Sequence, residues 1–197
     1  PEEFMRPEPL NVVMAIDVSG SMSGQPMDDA KAAMCHFVSK LDFSYTRVAV
    51  LAVSDSTAVV TGLGDNEGVC ISAIRSIECG LTGYGNEAHP FNKIRELLKD
   101  EDGRRFAIIL ADGVWSHQDV AISAAKQCNE QDIETAAIGF GSADSNFLKA
   151  ISSDDANGII VAQAELTSAF GSIAQSLGGT ASMQSSLSST SLDVATW

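Results

Sequence analysis

The sequence lacks three features that would place it in a common functional class. Its four cysteines form no CxxC pair and have no zinc-ligand spacing with the three histidines. Its 12 basic residues against 26 acidic ones give a formal net charge of −14, so no basic surface is available for nucleic acid or for an anionic membrane. No apolar run reaches the ~20 residues of a membrane span. We therefore expect neither a structural zinc site, nor a nucleic-acid partner, nor a membrane partner.

The cysteines also bear on the cellular compartment. They are scattered singly through apolar stretches, where cysteine usually behaves as a small buried hydrophobe, and a domain of this size does not need disulfides. We therefore expect a reducing, cytoplasmic setting. No signal peptide is visible, and we interpret residues 1–4, which precede Met5, as a vector remnant. The cysteines concerned are Cys35, Cys70, Cys79 and Cys128.

The length and composition predict a single domain. A chain of 197 residues that is 45% hydrophobic can bury one substantial core. We expect residues 1–8 to be the vector remnant and an N-terminal arm, and 9–178 to be the domain. The Ser-rich residues 179–197 then form a tail or linker.

Apolar runs alternate with segments of helical periodicity along the chain. This alternation predicts an α/β fold with a doubly wound, mostly parallel sheet of about six strands and helices on both faces. The short link 54–56 predicts one antiparallel edge strand. The predicted strands are Leu10–Ile16, Arg47–Val53, Thr57–Thr61, Phe106–Leu110, Glu134–Phe140 and Gly158–Ala162. The predicted helices are Met27–Leu41, Glu67–Ile77, Asn86–Lys99, Gln118–Cys128, Asp144–Ser152 and Glu165–Leu177.

Oxygen-bearing side chains follow the ends of the predicted strands, where ligands bind in sheets of this kind. The first strand ends in a loop with Asp17, Ser19 and Ser21, Thr82 lies in a glycine-rich loop, and Asp112 follows the strand FAIIL. Two carboxylates and three hydroxyls, with no cysteine or histidine among them, suit Mg²⁺ and also Mn²⁺ or Ca²⁺. Each piece alone has a simpler interpretation, because Asp and Ser often cap helices and Asp-Gly often forms a turn. Their joint position at strand ends favours a metal site.

At these residues the sequence resembles the von Willebrand factor A-type (vWA) domain family. The matching pieces are DVSGS (17–21), Gly80-Leu81-Thr82 and LADG (110–113), and the order of elements fits from about Pro9 to Leu177. The resemblance implies a Rossmann-like fold with an intact metal-ion-dependent adhesion site (MIDAS).

The resemblance also implies a role for each residue of the site. Ser19 and Ser21 would bind the ion directly, Thr82 or Asp112 would do so according to state, and Asp17 would act through water. It further implies a protein partner that presents a Glu or Asp to the ion. The chain would then be a protein–protein interaction module and not an enzyme.

Three residues beside the predicted site are candidates for partner contacts. Tyr84 lies between two glycines near Thr82, and Trp115 and His117 follow Asp112. An exposed tryptophan would make an interface anchor, but Trp115 could equally fold back onto the helix.

Two other functions compete with the binding module. A phosphotransferase of the haloacid-dehalogenase type also has an aspartate after its first strand and binds Mg²⁺, but it needs a second acidic residue where this chain has Ser19. Neither a GxSxG motif nor a phosphate-binding GxxxxGK[ST] loop occurs. The third alternative is a scaffold in which the metal only ties loops together.

Overall fold

The chain folds around one six-stranded sheet. The computed structural model describes residues 6–154 and 157–189. The strands are β1 (Leu10–Asp17), β2 (Thr46–Val53), β3 (Thr57–Gly64), β4 (Arg104–Ala111), β5 (Ile133–Gly139) and β6 (Gly158–Ile160). The α-helices are α1 (Gln25–Ser39), α2 (Glu67–Arg75), α3 (Phe91–Leu98), α4 (Gln118–Glu130), α5 (Ser145–Ala150) and α6 (Leu166–Ser189).

The strand order confirms the predicted fold class. The sheet runs β3-β2-β1-β4-β5-β6. All neighbours pair in parallel except β2 and β3, which are antiparallel. The two antiparallel strands are joined by the short link 54–56, as the sequence predicts. The sheet is thus a Rossmann-like doubly wound sheet with one antiparallel edge.

The central strands are buried on both faces because helices cover the sheet on each side. In β1, Val12, Met14 and Ile16 join the core formed with α1, α2 and α6. The alternate residues Val13 and Ala15 join the core formed with α3, α4 and α5. This two-sided burial explains why the strands are continuous apolar runs and do not alternate with polar residues.

Helix α3 begins later than the sequence predicts. The prediction placed its start at Asn86, but the helix begins at Phe91, directly after Pro90. Proline disfavours helical backbone at the residue before it. The segment 86–88 also bonds elsewhere, since the Asn86 carbonyl accepts from Ser116 and the Ala88 amide donates to Ser54.

Helix α6 ends later than predicted. The sequence predicts an end at Leu177, directly before Gly178 and Gly179, whereas the helix continues to Ser189. A glycine inside a helix costs only about 1 kcal/mol relative to alanine, so the pair is not a reliable stop signal. The rest of the predicted tail, 190–197, and the predicted vector remnant, 1–4, lie outside the described residues. None of the helices within the described ranges is long and apolar enough to cross a membrane.

Helices α1 and α6 pack against each other over the same face of the sheet. The Phe37 and Phe170 rings meet edge to face with centroids 5.9 Å apart, and both side chains are buried. Just before α6, the Gln163 amide donates to an Asp29 carboxylate oxygen at 2.6 Å. The first turns of α6 are therefore fixed to α1 by an aromatic pair and a hydrogen bond.

We predict that Phe170→Ala lowers the free energy of unfolding by about 3–5 kcal/mol, because it removes a buried ring from a close-packed core. Chemical denaturation measures this loss. The control is Val69→Ala on α2, whose side chain is exposed and whose removal should change stability by less than ~0.5 kcal/mol. A loss below ~1 kcal/mol for Phe170→Ala would contradict the packing of α6 described here.

Candidate functional site

The sheet changes its winding direction between β1 and β4. These strands are neighbours, but the chain leaves β1 for β2 on one side and β4 for β5 on the other. The loops that follow them diverge and leave a crevice at this switch point. Asp17 is the last residue of β1, and Asp112 directly follows β4. The topology therefore brings both predicted carboxylates to the mouth of the crevice.

Both carboxylates are buried with an oxygen that has no partner. Asp17 is 1% exposed and Asp112 is 5% exposed. Asp17 Oδ1 accepts from the Ser19 amide at 2.8 Å. Among the described residues, Asp17 Oδ2 and Asp112 Oδ1 have no hydrogen-bond donor. Buried polar atoms are normally bonded, so these two oxygens need a further group to satisfy them.

The electrostatics of Asp17 reflect this burial. Desolvation raises the pKa of the Asp17 carboxyl from 3.8 to about 7, against the opposing effect of its hydrogen bonds with Ser19, and the negative charge of Asp112 raises it further. A positive charge between the two carboxylates would reverse both unfavourable effects.

The two serines continue the site from the interior to the surface. Ser19 is buried and Ser21 is exposed, and their hydroxyl oxygens are 3.2 Å apart. A short 3-10 turn from Gly20 to Met22 follows Ser19 and brings the second hydroxyl back over the first. The Asp-x-Ser-x-Ser spacing of this loop therefore places the two hydroxyl oxygens together.

Thr82 reaches the same place on a loop that is tied to the first one. The Gly80 amide donates to the Val18 carbonyl at 2.7 Å, and the Gly20 amide donates to the Tyr84 carbonyl at 3.0 Å. These two backbone bonds bracket the half-buried Thr82 and hold its loop against the loop of the two serines. All five predicted residues thus lie at one end of the sheet; that they bind an ion stays a prediction.

Ser54, which the sequence analysis did not identify, orients Thr82. It follows β2 and is buried. Its hydroxyl lies 2.9 Å from the Gly83 carbonyl and 2.6 Å from Thr82 Oγ1. A carbonyl can only accept, so Ser54 donates to Gly83 and accepts from Thr82. The Thr82 proton therefore points to Ser54, and the lone pairs of Thr82 remain available to a cation.

Asp55 and Cys79 also support the loops. The Gly85 amide donates to Asp55 at 3.1 Å, and a Cβ at Gly83 or Gly85 would overlap the Asp55 carboxylate. Only glycine lets the loop approach so closely. The Cys79 thiol donates to the Ser19 carbonyl at 3.1 Å. Partial burial raises the pKa of Cys79, and Asp112 and Asp17 add to this, so the thiol stays protonated.

The donor set fits a hard divalent cation. Two buried carboxylate oxygens lack donors, and three hydroxyl oxygens lie in the loops around them. Oxygen-only sets of this kind suit Mg²⁺, Mn²⁺ or Ca²⁺. Within the described ranges, no three His, Cys, Asp or Glu side chains form a group that could hold a metal. A cation here would therefore depend on the hydroxyls as well as the carboxylates.

The predicted partner-contact residues have different environments. Tyr84 is 72% exposed, beside the site. His117 is exposed and pairs through Nε2 with Glu87 at 3.0 Å. Trp115 is 4% exposed and packs against Phe147 and Phe91, with ring centroids 5.4 and 6.4 Å away. The interpretation of Trp115 as an exposed anchor is wrong, because its ring folds back into the core between α3 and α5.

The fold and these loops define an open α/β domain with an oxygen-lined crevice at the switch point of its sheet. The family model described as the von Willebrand factor type A domain matches residues 11–181. The chain belongs to that family, as the sequence resemblance implied. Domains of this family mediate protein–protein interactions, some of them through a metal ion at a MIDAS. No curated protein sequence matches the chain.

Solved structures share the fold at low sequence identity. The vWF domain of the type V pilus tip protein Mfa5 from Porphyromonas gingivalis has a TM-score of 0.77 at 14% identity, covering 89% of this chain and 97% of that one. BatB from Bacteroides thetaiotaomicron has a TM-score of 0.75 at 20% identity, covering 88% and 99%.

A third similar structure is described with a metal at this kind of site. Proximal thread matrix protein 1 from the mussel byssus, described with a zinc-occupied MIDAS motif, has a TM-score of 0.75 at 18% identity. The alignment covers 86% of this chain and 46% of that protein.

Replacing Asp17 by Asn tests whether the buried carboxylate is a cation ligand. Because the pKa of Asp17 is raised to about 7, its carboxyl stabilises the fold below pH 3.8, and this stability is lost as the pH rises to 7. Without metal, the stability of Asp17→Asn should therefore change less with pH over this range than the stability of the wild type. Saturating Mg²⁺ at pH 8 should raise the melting temperature of the wild type by about 5–10 °C and leave the variant unchanged.

Thermal unfolding across pH, with EDTA or Mg²⁺, measures both effects. Asp119→Asn, an exposed carboxylate on α4, is the control and should respond to Mg²⁺ as the wild type does. Equal Mg²⁺ stabilisation of wild type and Asp17→Asn would rule out Asp17 as a ligand.

A second substitution tests the role of Ser54. Ser54→Ala removes the acceptor of the Thr82 proton. It should weaken Mg²⁺ binding by about tenfold or more, because residues that orient metal ligands by hydrogen bonds contribute this much to affinity. Titration calorimetry on the folded variant measures the affinity. Ser56→Ala is the control, because its hydroxyl makes only a long 3.5 Å contact with the Thr82 carbonyl. Wild-type affinity in Ser54→Ala would show that Thr82 needs no such orientation.

Proposed function

We propose that this chain is a metal-dependent protein-binding domain and not an enzyme. In this proposal Asp17, Ser19, Ser21, Thr82 and Asp112 hold a divalent cation, and the cation binds a Glu or Asp of a protein partner. The observation that carries the proposal is the pair of buried carboxylates with unpartnered oxygens at the switch point.

Each residue has a defined part in the proposal. Ser19 and Ser21 supply neutral oxygens, and Ser21 lies at the solvent side. Asp17 and Asp112 supply the negative charge beneath them, and Ser54 turns the oxygen of Thr82 to the same point. The bound cation would supply a positive centre that accepts a carboxylate. When Asp112 bonds to the cation only through water, the direct ligands would neutralise the cation incompletely, and it would attract a further anion.

Mg²⁺ is the proposed ion, with Mn²⁺ or Ca²⁺ as alternatives. The all-oxygen donor set supports these hard ions, since no thiolate or imidazole is among the predicted ligands. Zinc is described in the site of the mussel protein, so it belongs among the ions compared by titration.

The chemistry around the site does not favour an enzyme. A phosphotransferase would need a second acidic residue at Ser19. Ser116 and His117 both bond to Glu87 and not to each other, so this pair provides no activated serine. A phosphatase assay with Mg²⁺ is expected to show no turnover.

The cytoplasmic setting is also proposed, and it rests on the cysteines alone. All four are free thiols, and Cys70 and Cys128 are buried. Thiol labelling of the protein taken directly from its native cell, read by mass spectrometry, tests this. Extensive disulfide formation would contradict it.

The partner-binding role is tested by affinity capture from the native cell followed by reconstitution. A true partner should bind the Mg²⁺-loaded protein, and EDTA or Asp112→Ala should abolish binding, because each removes the centre that holds the carboxylate. In the purified complex, one Glu→Ala or Asp→Ala change on the partner should lower affinity at least tenfold. Asp100→Asn, an exposed carboxylate just before β4 and away from the site, is the control and should retain capture.

Two outcomes would contradict this role. Binding that survives both EDTA and Asp112→Ala would show that the metal is not the anchor. The double variant Ser19→Ala/Ser21→Ala distinguishes the binding role from the scaffold alternative. If the metal only ties loops together, the variant should have lower thermal stability and unchanged partner affinity.

A further inference from the structure

Exposed apolar side chains are concentrated around the candidate metal site. Leu81 and Tyr84 flank the loop of Thr82, Val114 follows Asp112 by two residues, and Val120 lies in the first turns of α4. Single exposed apolar residues are common on protein surfaces. A group of them beside one crevice is instead typical of a surface that contacts a partner.

Two of these residues line a depression beside the site, which we call the rim groove. Val114 follows Asp112 by two residues, and the Ser142 amide, two residues before Asp144, donates to the Asp112 carbonyl at 3.1 Å. It is an open depression of about 490 Å³ lined by Val114, Trp115, His117, Asp119, Val120 and Asp144. Val114 and Val120 are 55% and 57% exposed.

Trp115 also lines the rim groove. Its ring packs against Phe91 and Phe147, and these contacts hold the residue in place without a partner.

The charge around the rim groove has one sign. The segments that surround the site, residues 17–30, 54–56, 78–92, 111–125 and 139–148, contain no lysine or arginine. The exposed acidic residues in them include Glu87, Asp119 and Asp144. Apart from His89 and His117 when protonated, these segments supply no positive side chain, and a bound cation would act on the group in contact with it. A second acidic group on the partner would meet repulsion, whereas a cationic group would be attracted.

Asp144 has an oxygen to offer such a cationic group. Its Oδ1 caps α5 by accepting from Asn146 and Phe147 at 2.8 and 3.3 Å, and the residue is exposed. Both capping bonds go to the same oxygen, so Oδ2 can accept from a partner. Asp119 lies on the same groove, in the first turn of α4.

We infer that the partner presents a three-part epitope: an acidic anchor for the ion, a neighbouring aliphatic side chain seated between Val114 and Val120, and a Lys or Arg facing Asp119 and Asp144. The inference rests on the proposed function for its anchor. The aliphatic and basic parts of the epitope are inferred from the groove and the charge pattern, and both of these features are present without a bound ion.

Selection from a displayed library of random heptapeptides tests this epitope directly. The immobilised targets are the Mg²⁺-loaded wild type, the wild type in EDTA, Val114→Ser/Val120→Ser, and Asp119→Asn/Asp144→Asn. Asparagine is an equally good helix cap, so the last pair keeps α5 intact. The matched controls are Val59→Ser/Val69→Ser, exposed valines away from the groove, and Asp100→Asn/Asp102→Asn at the opposite end of the sheet.

The wild type with Mg²⁺ should enrich peptides that carry an acidic residue near an aliphatic residue and a Lys or Arg. The valine variant should lose the aliphatic preference, and the aspartate variant should lose the basic one, while each keeps the acidic residue. A synthetic peptide with the enriched sequence should bind each variant about tenfold more weakly, and both controls as tightly as the wild type.

The possible failures are distinguishable. No acidic enrichment with Mg²⁺, or the same enrichment in EDTA, would contradict the proposed function and this inference with it. Acidic enrichment without the aliphatic and basic preferences would overturn the epitope alone. The same holds if those preferences persist in the groove variants.

Discussion

Two buried carboxylates lie at the carboxyl ends of adjacent parallel strands, and among the described residues each has one oxygen without a hydrogen-bond donor. Burial of unpaired charge is costly, so Asp17 and Asp112 work against the stability that the rest of the domain provides. That stability comes from the two apolar cores on either face of the sheet. Hydrogen bonds within and between the loops hold the site together, among them those from the Ser19 amide to Asp17 and from the Gly80 amide to Val18. The same arrangement that weakens the fold would stabilise a cation bound between these groups.

Much of this arrangement can be predicted from sequence because strand ends are easy to locate. Continuous apolar runs mark the buried strands, and parallel pairing brings their carboxyl ends to one edge. Asp17 and Asp112 were therefore predictable neighbours although they are far apart in the chain. Thr82 was found through the family resemblance and not through its own signal, since its loop joins helices α2 and α3 and does not follow a strand.

The features that sequence could not predict depend on tertiary contacts. Nothing local distinguishes Ser54 from any serine in a turn; its role appears only when Thr82 arrives beside it. Trp115 is buried because Phe91 and Phe147 from two other elements close over it. The late start of α3 and the late end of α6 show the same limit, because competing bonds and weak glycine signals decide helix ends.

The loop around Thr82 is held by bonds to segments that follow β1 and β2. It can take its place only after those strands have paired, so the complete set of oxygens is absent from a chain whose sheet is still forming. A cation that needs all of these oxygens would have no binding site while the chain is still folding. It would extend the lifetime of the folded domain by slowing its unfolding, and leave the speed at which the domain forms unchanged.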